Sequence, residues 1–406
     1  MTAGPGILFV SRYFWPELIG SAPFSTDLAE WLARHGRQTT VVSGLPHYPG
    51  THIFAGYRDR KRHREVVRGS IVERLAVGAP RGDGAASRIA NEAEFLLRGL
   101  AALATGRIGR HAIVLALCPS ILSVALGLAA RGRKGICIAL IHDIQSGLAE
   151  GLGISGAGPL TRLMRACERT VLNRADLVVV LSEAMKDQLL RIGVRSPIEV
   201  VPLWVDTDVI RAIDPVSHGS VQVLYSGNLG RKQGLDQVVA LAEQLAAVRP
   251  DIEIVLRGNG SRGSALAAEI TRRALRNIRF TELQPNEALG PALAAGDIHL
   301  VPQNPAAAAF AVPSKVFNIM AVGRPFVATA LPGSVLWTLQ RESEAFLCVP
   351  PGDPAAFADA VIRLADDAHL RNELGRRGRA FVELNYAKSR VLGAFMSRLD
   401  AAAAAR

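Results

Sequence analysis

The sequence predicts an α/β protein with two open, doubly wound parallel sheets of similar size. Its 406 residues are more than a single hydrophobic core usually serves, so two domains are expected. Short apolar strands alternate with amphipathic helices through both halves of the chain, which is the order of a parallel sheet with helices on both faces. The composition, 49% hydrophobic and 20% charged, is typical of a well-packed globular protein.

The first half, residues 1–203, is predicted to form the first domain. The buried strand GILFVSRYF comes first, and the amphipathic helix APFSTDLAEWLARHG follows it and ends at a glycine. Five more apolar runs predict strands: QTTVVSG, IVERLAV, AIVLALC, GICIALIHD and DLVVVLS. Helical patterns between some of them are RIANEAEFLLRGLAALA and TRLMRACERTVLNRA.

One segment of this half is long and apolar enough to cross a bilayer. Residues 111–130, HAIVLALCPSILSVALGLAA, contain no charge. Pro119 and Ser120 divide the segment, so a buried strand followed by a packed helix is the better prediction. The N-terminus, MTAGPGILFVSRYF, has no basic region followed by a long apolar core, so no signal peptide is predicted. The four cysteines stand far apart without a CxxC pair, which disfavours a disulfide framework or a zinc site and indicates a reducing cytosol.

A second array of strands and helices occupies the second half. The segment VPLWVDTDVIRAIDPVSHGS has weak periodicity, and residues 204–220 are predicted to connect the domains. Residues 221–384 form the predicted second domain, with the strands VQVLYSG, IEIVLRG, IRFTEL, IHLVPQ, PFVATA and AFLCVP. Residues 385–406 are expected to form a helix that packs back on the first domain, followed by an Ala-rich tail. Ligands of open parallel sheets bind at the carboxyl ends of the strands, so a site is expected in a cleft between the sheets.

Positive charge is concentrated in the first half. Of the net +11, residues 1–203 carry 25 basic and 16 acidic side chains (+9), and residues 204–406 carry 22 and 20 (+2). The segment RDRKRHREVVR, residues 58–68, has six basic and two acidic residues. It is either a solvated basic loop or a surface that meets anionic lipid or a phosphorylated acceptor. Aromatic residues are only 5% and no recognition motif accompanies the charge, which disfavours nucleic acid as a partner.

Two motifs have competing interpretations. GNGSRG, residues 258–263, matches GxGxxG after a strand, with Glu282 at a distance that suits a dinucleotide fold. An ordinary glycine-containing turn on an internal strand is the favoured interpretation. DTD, residues 206–208, resembles a metal-binding acidic pair, but its position in the connecting segment favours helix capping or a hinge. No other carboxylate cluster suggests metal ligands, and neither a metal nor a cofactor is predicted.

Two predicted strands end in polar groups suited to binding or chemistry. SGNLGRKQG places two glycines beside Arg231 and Lys232, which predicts either a loop that faces phosphate or an ordinary surface βα loop, where lysine and glycine are also frequent. His142 and Asp143 end the strand GICIALIHD. A structurally satisfied histidine is the usual interpretation, but a strand-end histidine beside a carboxylate is well placed for chemistry.

The stretch FAVPSKVFNIMAVGRPFVAT has an unusual distribution of polar residues. Pro313 and Ser314 predict a helix start, and Gly-Arg-Pro predicts its end. Lys315 then lies in the first turn, where the helix macrodipole disfavours a cation. Asn318 is the lone amide in an otherwise apolar turn.

These segments together resemble glycosyltransferase family 4, and most closely its bacterial members for colanic acid, O-antigen and exopolysaccharide synthesis. The resemblance covers nearly the whole chain and follows the order of its motifs. They are YFWPELIGSAPFSTDLAEWLARHG, VVSGLPHYPG, ERTVLNRADLVVVLSEAMKDQL, VVPLWVD, YSGNLGRKQGLDQVV, PSKVFNIMAVGRPFVAT and GDPAAFADAV. It implies the GT-B fold, in which two Rossmann-like domains face a central cleft, the first for the acceptor and the second for the donor.

The resemblance also implies roles for individual residues. His142 matches the residue beside the transferred sugar. Lys232 lies one residue before the position of the usual phosphate-binding lysine, and Lys315 begins the helix whose counterpart receives the diphosphate at its N-terminus. These three are the predicted catalytic residues. The predicted donor-binding residues lie in five regions. They are Gly20 and Ser21 in the turn under the diphosphate, Asn228 and Gly230 in the phosphate loop, Gly258 and Gly260 in the turn near the nucleotide, Leu283 and Gln284 in the loop that meets the base, and Pro313, Ser314 and Asn318 at the helix start and the ribose position. The family's Glu-x7-Glu pair is Phe310 and Asn318 here, which leaves open what holds the donor sugar.

The implied function is a retaining, metal-independent sugar transfer from a nucleotide diphosphate, UDP rather than GDP. The implied acceptor is a polyprenyl-diphosphate-linked saccharide at the inner face of the inner membrane, and the expected location is cytoplasmic and peripheral to that membrane. Two alternatives stay open. A GT-B nucleotide-sugar epimerase would need acid-base carboxylates, and a non-catalytic scaffold of a polysaccharide assembly complex is compatible with the missing Glu pair.

Overall fold

The structure is a computed structural model that describes residues 6–18, 20–48, 52–58, 64–80, 82, 85–118, 120–146, 158–214, 221–230, 233–284, 288–307 and 313–404. The chain divides into two compact units. One contains Met1–Val201 together with Ala394–Arg406, and the other contains Pro202–Gly393. Each is an open sheet with helices, which confirms the predicted fold class.

The first unit is built on an eight-stranded sheet. Its strands are β1 (Ile7–Ser11), β2 (Thr39–Ser43), β3 (Arg64–Val67), β4 (Ser70–Arg74), β5 (His111–Cys118), β6 (Arg131–Ile141), β7 (Leu177–Val180) and β8 (Ile198–Val200). They lie in the order β3-β4-β2-β1-β5-β6-β7-β8, and β1 is buried along its whole length. The helices are α1 (Ala22–Arg34), α2 (Ala85–Ala104), α3 (Ile121–Ala130), α4 (Pro159–Leu172) and α5 (Glu183–Arg191).

The long apolar segment folds as a strand and a helix, as predicted. Residues 111–118 form β5, whose last six residues are buried, and residues 121–130 form α3. Ser120 caps α3 by accepting a hydrogen bond from Leu122 N. Among the described residues, no helix is both long enough and apolar enough to cross a membrane.

The basic segment is not wholly a loop, which corrects the prediction for its C-terminal part. Residues 64–67 form β3, which pairs antiparallel with β4 at the edge of the sheet. Arg68 and Gly69 link the strands with φ values of 47° and 85°, as a two-residue hairpin turn requires. Arg64 pairs with Glu73 at 3.4 Å and Arg68 with Glu30 at 2.7 Å, and each carboxylate also pairs with a second arginine, Arg107 and Arg34 respectively.

The second unit is built on a six-stranded, all-parallel sheet. Its strands are β9 (Gln222–Ser226), β10 (Glu253–Arg257), β11 (Ile278–Thr281), β12 (Ile298–Val301), β13 (Phe326–Thr329) and β14 (Leu347–Val349), in the order β11-β10-β9-β12-β13-β14. Its helices begin with α6 (Asp236–Val248), α7 (Gly263–Arg272), α8 (Leu289–Ala294), α9 (Lys315–Ala321) and α10 (Val335–Ser343). The last three are α11 (Pro354–Asp366), α12 (Ala368–Asn385) and α13 (Lys388–Ala404).

The end of α13 belongs to the first unit. From Ala394 onward the helix is part of that unit. Trp31 Nε1 donates to Met396 Sδ at 3.1 Å, and Arg37 forms an ion pair with Asp400. These contacts hold the C-terminal turns of the chain against α1 and the residues that follow it.

Candidate functional site

The carboxyl ends of three neighbouring strands in the second unit form one continuous edge. The strand register places Ser226, Arg257 and Thr281, the last residues of β9, β10 and β11, side by side. The loop after β9 is joined to the loop after β10, because Leu229 N donates to Asn259 O and Arg262 N donates to Leu229 O, both at 2.9 Å. In an open parallel sheet this edge is where ligands bind.

The glycines of GNGSRG serve the packing of these two loops. A Cβ on Gly258 would lie 1.9 Å from Gly227 O, and one on Gly260 would lie 2.5 Å from Asn228 Oδ1 and 2.6 Å from Leu229 O. Backbone atoms cannot yield to such contacts, so both positions require glycine for a structural reason. The turn interpretation of the motif is thereby sufficient, and no nucleotide is needed to explain the glycines.

Lys315 is the most unusual residue of this edge. Its Nζ is buried, lies 3.5 Å from the centroid of the Tyr225 ring, and has no hydrogen-bond partner among the described residues. A Cβ on Gly227 would lie 3.3 Å from Nζ, so a larger residue at position 227 would crowd the ammonium. Burial lowers the pKa of Lys315 to about 7, because an ammonium removed from water gains only the ring's cation–π attraction.

The helix that carries Lys315 begins where the sequence predicted, but its start differs in detail. Ser314 is the N-cap residue of α9, yet its hydroxyl makes no capping hydrogen bond. Ser314 has helical backbone angles, φ −57° and ψ −25°, whereas a capping side chain needs an extended backbone. Phe317 N instead donates to Ser314 O at 3.3 Å, in a tight first turn. Asn318, three residues after Lys315, lies on the same, partly exposed face of the helix.

Three more polar atoms near the strand ends are buried without a hydrogen-bond partner in the described part of the chain. They are Gln233 Oε1, Arg257 Nε and Thr281 Oγ1. Arg257 and Lys315 form no ion pair with any described residue, so the edge carries two uncompensated cations. The desolvated donors Arg257 Nε and Lys315 Nζ favour an anion, and a diphosphate accepts several hydrogen bonds at once. The sequence interpretation missed Arg257, Gln233, Tyr225 and Thr281, although Arg257 was visible as a cation at the end of IEIVLRG.

A buried histidine close to Lys315 stays neutral. His299 in β12 is fully buried, and its Nε2 lies 2.9 Å from Leu293 O. Burial chiefly, and then the charges of Arg324, Arg257 and Lys315, lower the pKa of His299 to about 3 despite that hydrogen bond. It therefore adds no third positive charge to the edge at neutral pH.

The other residues predicted to bind the donor differ in their position and in their exposure to solvent. Asn228 and Gly230 lie in the loop after β9, where a Cβ on Gly230 would be 3.4 Å from Asn228 Nδ2. Leu283 and Gln284 follow β11; Leu283 is partly buried and Gln284 is exposed. Pro313 precedes the N-cap of α9. Lys232 and Arg231 of the predicted phosphate loop, and Phe310 of the missing Glu pair, lie outside the described residues.

In the first unit, the glycine-rich turn and His142 lie close together. Gly20 has φ 71°, which favours glycine, and Ser21 is the N-cap residue of α1. The Ser21 hydroxyl is buried without a hydrogen-bond partner among the described residues. Phe24, in the first turn of α1, meets the His142 ring edge-on with centroids 5.9 Å apart. Burial lowers the pKa of His142 to about 4, so its imidazole is neutral at pH 7.

Glu17, which the sequence interpretation missed, fixes the loops after β1 and β2 to each other. Its carboxylate accepts hydrogen bonds from Phe14 N at 3.1 Å, His47 N at 2.9 Å and Tyr48 N at 2.8 Å. Burial raises the pKa of Glu17, and these hydrogen bonds oppose that rise. The residue orders the backbone beside Tyr13 and Tyr48.

The DTD motif stabilises a turn and does not cap a helix, because none of the described residues between β8 and β9 is helical. Asp206 Oδ1 accepts from Val209 N at 3.1 Å, and Asp206 Oδ2 accepts from Lys388 Nζ at 3.2 Å. Both oxygens of this carboxylate are therefore engaged. The described residues contain no group of three His, Cys, Asp or Glu side chains that could hold a metal ion.

Comparison with known proteins decides the family. Residues 20–204 match the family model "Glycosyl transferase 4-like domain", and residues 220–367 match "Glycosyl transferases group 1". The chain belongs to glycosyltransferase family 4. This confirms the resemblance found in the sequence, and the protein is a glycosyltransferase.

A curated relative agrees with the family, and solved structures agree with the fold. The chain is 28% identical to the putative colanic acid biosynthesis glycosyl transferase WcaI of Escherichia coli K12, over 96% of this chain and 98% of that protein. Sucrose-phosphate synthase from Thermosynechococcus elongatus aligns with a TM-score of 0.79 at 19% identity, over 98% of this chain and 99% of that one. Anabaena HepE in complex with UDP-glucose aligns with a TM-score of 0.69 at 14% identity, over 98% and 100% of the two chains. These likenesses confirm the GT-B fold.

Proposed function

We propose that this glycosyltransferase moves a sugar from a nucleotide diphosphate donor, UDP rather than GDP, to a polyprenyl-diphosphate-linked saccharide in surface polysaccharide synthesis. The transfer retains the anomeric configuration and uses no metal ion. The observation that carries the donor part of the proposal is the buried, unpaired ammonium of Lys315 beside the strand ends of the second unit. The E. coli relative supports the pathway, since its name assigns it to colanic acid synthesis.

The charge arrangement supports a diphosphate as the group bound at this edge. Lys315 Nζ and Arg257 Nε are both desolvated and lack hydrogen-bond acceptors among the described residues. A diphosphate supplies charged oxygens to both, and each charge-assisted hydrogen bond contributes about 1.5–3 kcal/mol. UDP is favoured over GDP because the HepE complex that shares this fold contains UDP-glucose.

The proposed mechanism relies on stabilising the leaving diphosphate. Lys315, together with Lys232, neutralises the charge that develops on the phosphate oxygens as the glycosidic bond breaks. The diphosphate itself receives the proton of the acceptor hydroxyl, so no carboxylate base is required. His142, neutral at pH 7, contacts the transferred sugar by hydrogen bonding and does not act as an acid. Asn318 takes the ribose position with an amide, which both donates and accepts.

Calorimetry and product analysis test the proposal together. We expect UDP to bind more tightly than GDP, with affinity unchanged by EDTA, and we expect UDP release from a UDP-sugar to rise when lipid-linked saccharide is added. Retention is read from the anomeric configuration of the product by NMR. If neither nucleotide binds, the donor assignment is wrong. If UDP binds but no UDP-sugar in a panel is turned over with lipid acceptor, the transferase proposal is refuted and the scaffold alternative, with which the missing Glu pair is compatible, replaces it.

Association with the inner membrane is proposed from the basic segment of the first unit. In its described part, Arg58 Nε donates to Ile53 O at 3.0 Å, while Arg64 and Arg68 are in ion pairs. These cations are therefore engaged within the protein. The proposal rests on Arg60, Lys61 and Arg62, which lie outside the described residues, and on the excess of positive charge in this half of the sequence.

A further inference from the structure

The helix that carries Lys315 is too short to be stable by itself. α9 has seven residues, and Ser314 at its N-cap makes no side-chain hydrogen bond to it. An isolated helix below about 12–15 residues is marginal in water, so tertiary contacts determine where α9 lies. The position of Lys315 Nζ, 3.5 Å from the centroid of the Tyr225 ring, therefore depends on the groups that hold this helix.

The C-terminal turn of α9 packs directly on the backbone of α12. A Cβ on Gly375 would lie 2.1 Å from Gly323 O, and a Cβ on Gly378 would lie 3.2 Å from Met320 Cγ. Gly323 has φ 73°, the left-handed conformation in which helices commonly end. The two glycines of α12 thus let the end of α9 approach closely, with no room for a side chain at position 375.

Arg379 on α12 joins this end of α9 to the segment predicted to connect the domains, of which residues 204–214 are described. Its Nη1 donates to Ala321 O at 2.7 Å and to Ile210 O at 2.5 Å, and its Nη2 donates to Thr207 O at 3.0 Å. Its side chain is 17% exposed, and its Nε donates to Glu383 Oε1 at 2.6 Å. Ala321 O belongs to the last turn of α9, where a cation is favourable.

Two further contacts hold α9 in the same place. The Phe317 ring stacks on the Tyr386 ring with centroids 4.4 Å apart. Arg324, which follows the helix, donates from Nη1 to Ile213 O at 2.7 Å and from Nε to Ala294 O at 3.1 Å. The helix is thus fixed by ring stacking near its start and by two arginines near its end.

We propose that Arg379 is a positioning residue for the donor site: it holds the C-terminal turn of α9 and thereby keeps the Lys315 ammonium at the strand ends, where the diphosphate binds. A helix of seven residues is about 10 Å long and moves as one piece, so a displacement of its end reaches Lys315. The identity of the ligand rests on the proposed sugar transfer, whereas the attachment of α9 to the connecting segment does not. Arg379 acts through Lys315 and does not itself contact the ligand.

Calorimetric titration of UDP into the full-length protein tests the proposal, with Tm measured alongside. We expect Arg379→Gln to weaken UDP binding at least fivefold and Arg379→Lys, which keeps the cation, to recover part of that loss. Arg371→Gln is the matched control. Arg371 lies on the same helix, and its Nη1 donates to Leu364 O at 2.6 Å and Ala365 O at 2.7 Å in the last turn of α11, which carries none of the predicted site residues. The control should bind UDP as the wild type does, even if it melts at a lower temperature.

A double-mutant cycle with Lys315→Met separates positioning from general destabilisation. If Arg379 acts through the ammonium, Arg379→Gln should change UDP affinity less than twofold once the ammonium is absent. A merely structural arginine would lower the affinity by the same factor in both backgrounds. If Arg379→Gln does not fold, Arg379→Lys takes its place in the cycle.

Two outcomes of the titrations would overturn the proposal. They are equal UDP affinity in wild type and Arg379→Gln, and equal losses with and without Lys315. Amide hydrogen exchange of the free protein tests the attachment of α9 without UDP: Arg379→Gln should speed exchange in α9 and in residues 204–214, and Arg371→Gln should not. Wild type that binds no UDP refutes the proposed donor, and in that case unchanged exchange in α9 refutes the attachment as well.

Discussion

Replacing Lys315 by methionine should stabilise the free protein and weaken its binding of UDP. Methionine keeps most of the apolar stem and removes the charge. A lysine whose pKa falls from 10.5 to about 7 carries its charge at neutral pH at a cost of roughly 4 kcal/mol. The cation–π contact with Tyr225 offsets about 1–2 kcal/mol of that cost. Lys315→Met should therefore gain roughly 2–3 kcal/mol at pH 7, which raises Tm by about 4–12 °C for a unit of this size.

The pH dependence of this gain has a definite sign. Below pH 7 folded Lys315 is charged and the whole cost is present. Between pH 7 and 10.5 the unfolded chain binds more protons at this residue than the folded protein does, so wild-type stability rises with pH relative to the variant. Above pH 10.5 both states are neutral and the cost is gone. Thermal melts at pH 6.5 and 9.5 should show the difference in Tm shrinking at the higher pH.

UDP binding should change in the opposite direction. Loss of one charge-assisted contact of about 1.5–3 kcal/mol lowers the affinity about ten- to a hundredfold. Calorimetric titration of UDP measures it, with Lys186→Met as the matched control, because Lys186 is a partly exposed lysine of the first unit with an i,i+3 partner in Glu183. Equal UDP affinity in wild type and Lys315→Met, or a variant less stable than wild type at pH 7, would refute the reasoning.

Three further predictions use other readouts. UDP binding at pH 8 should take up protons, because the bound diphosphate raises the pKa of Lys315 from about 7; calorimetric heats that do not depend on the ionisation enthalpy of the buffer would contradict this. His142→Ala should slow turnover and leave UDP affinity nearly unchanged, since the residue is placed against the sugar; normal turnover at an unchanged Tm would return it to a structural role. Reversing the charges of Arg60, Lys61 and Arg62 should release the protein from anionic liposomes in a sedimentation assay, since each cation near such a surface contributes about 1 kcal/mol; unchanged sedimentation would exclude these residues as the membrane contact.

The order of strands and helices was predictable because local hydrophobic patterns determine it. The apolar run at 111–130 was predicted as strand and helix from its Pro-Ser break, and the structure confirms this. The strand β3, and with it the hairpin to β4, was missed, because the six basic residues of segment 58–68 suggested a solvated loop. The signal was nevertheless present, since Arg68-Gly69 lies between the short runs REVV and SIVER and its glycine supports a two-residue turn.

The electrostatic state of the site could not be predicted from local sequence. The sequence placed Lys315 in a first helical turn, but its burial depends on Tyr225 and Gly227, which lie far away in the chain. The same applies to Arg379, whose carbonyl acceptors lie between 58 and 172 residues away in the chain. Propensities and motifs predict which residue types lie at a strand end. Whether each of them finds a partner is decided by tertiary packing.

The free-energy cost of burying Lys315 and the absence of the family's Glu pair are related, because a glutamate of that pair could offset the charge of the ammonium. A carboxylate at position 318, one turn after Lys315, would lie on the same helix face and could compensate the ammonium in the free protein. Asn318 cannot do so, and the ammonium is left with only the Tyr225 ring. An internal ion pair would have to be broken or shared when a dianion binds, whereas an uncompensated lysine gives its full charge to the ligand. The free protein is less stable for this reason, and under the proposed function the same charge contributes to binding the donor diphosphate and to stabilising it as it leaves.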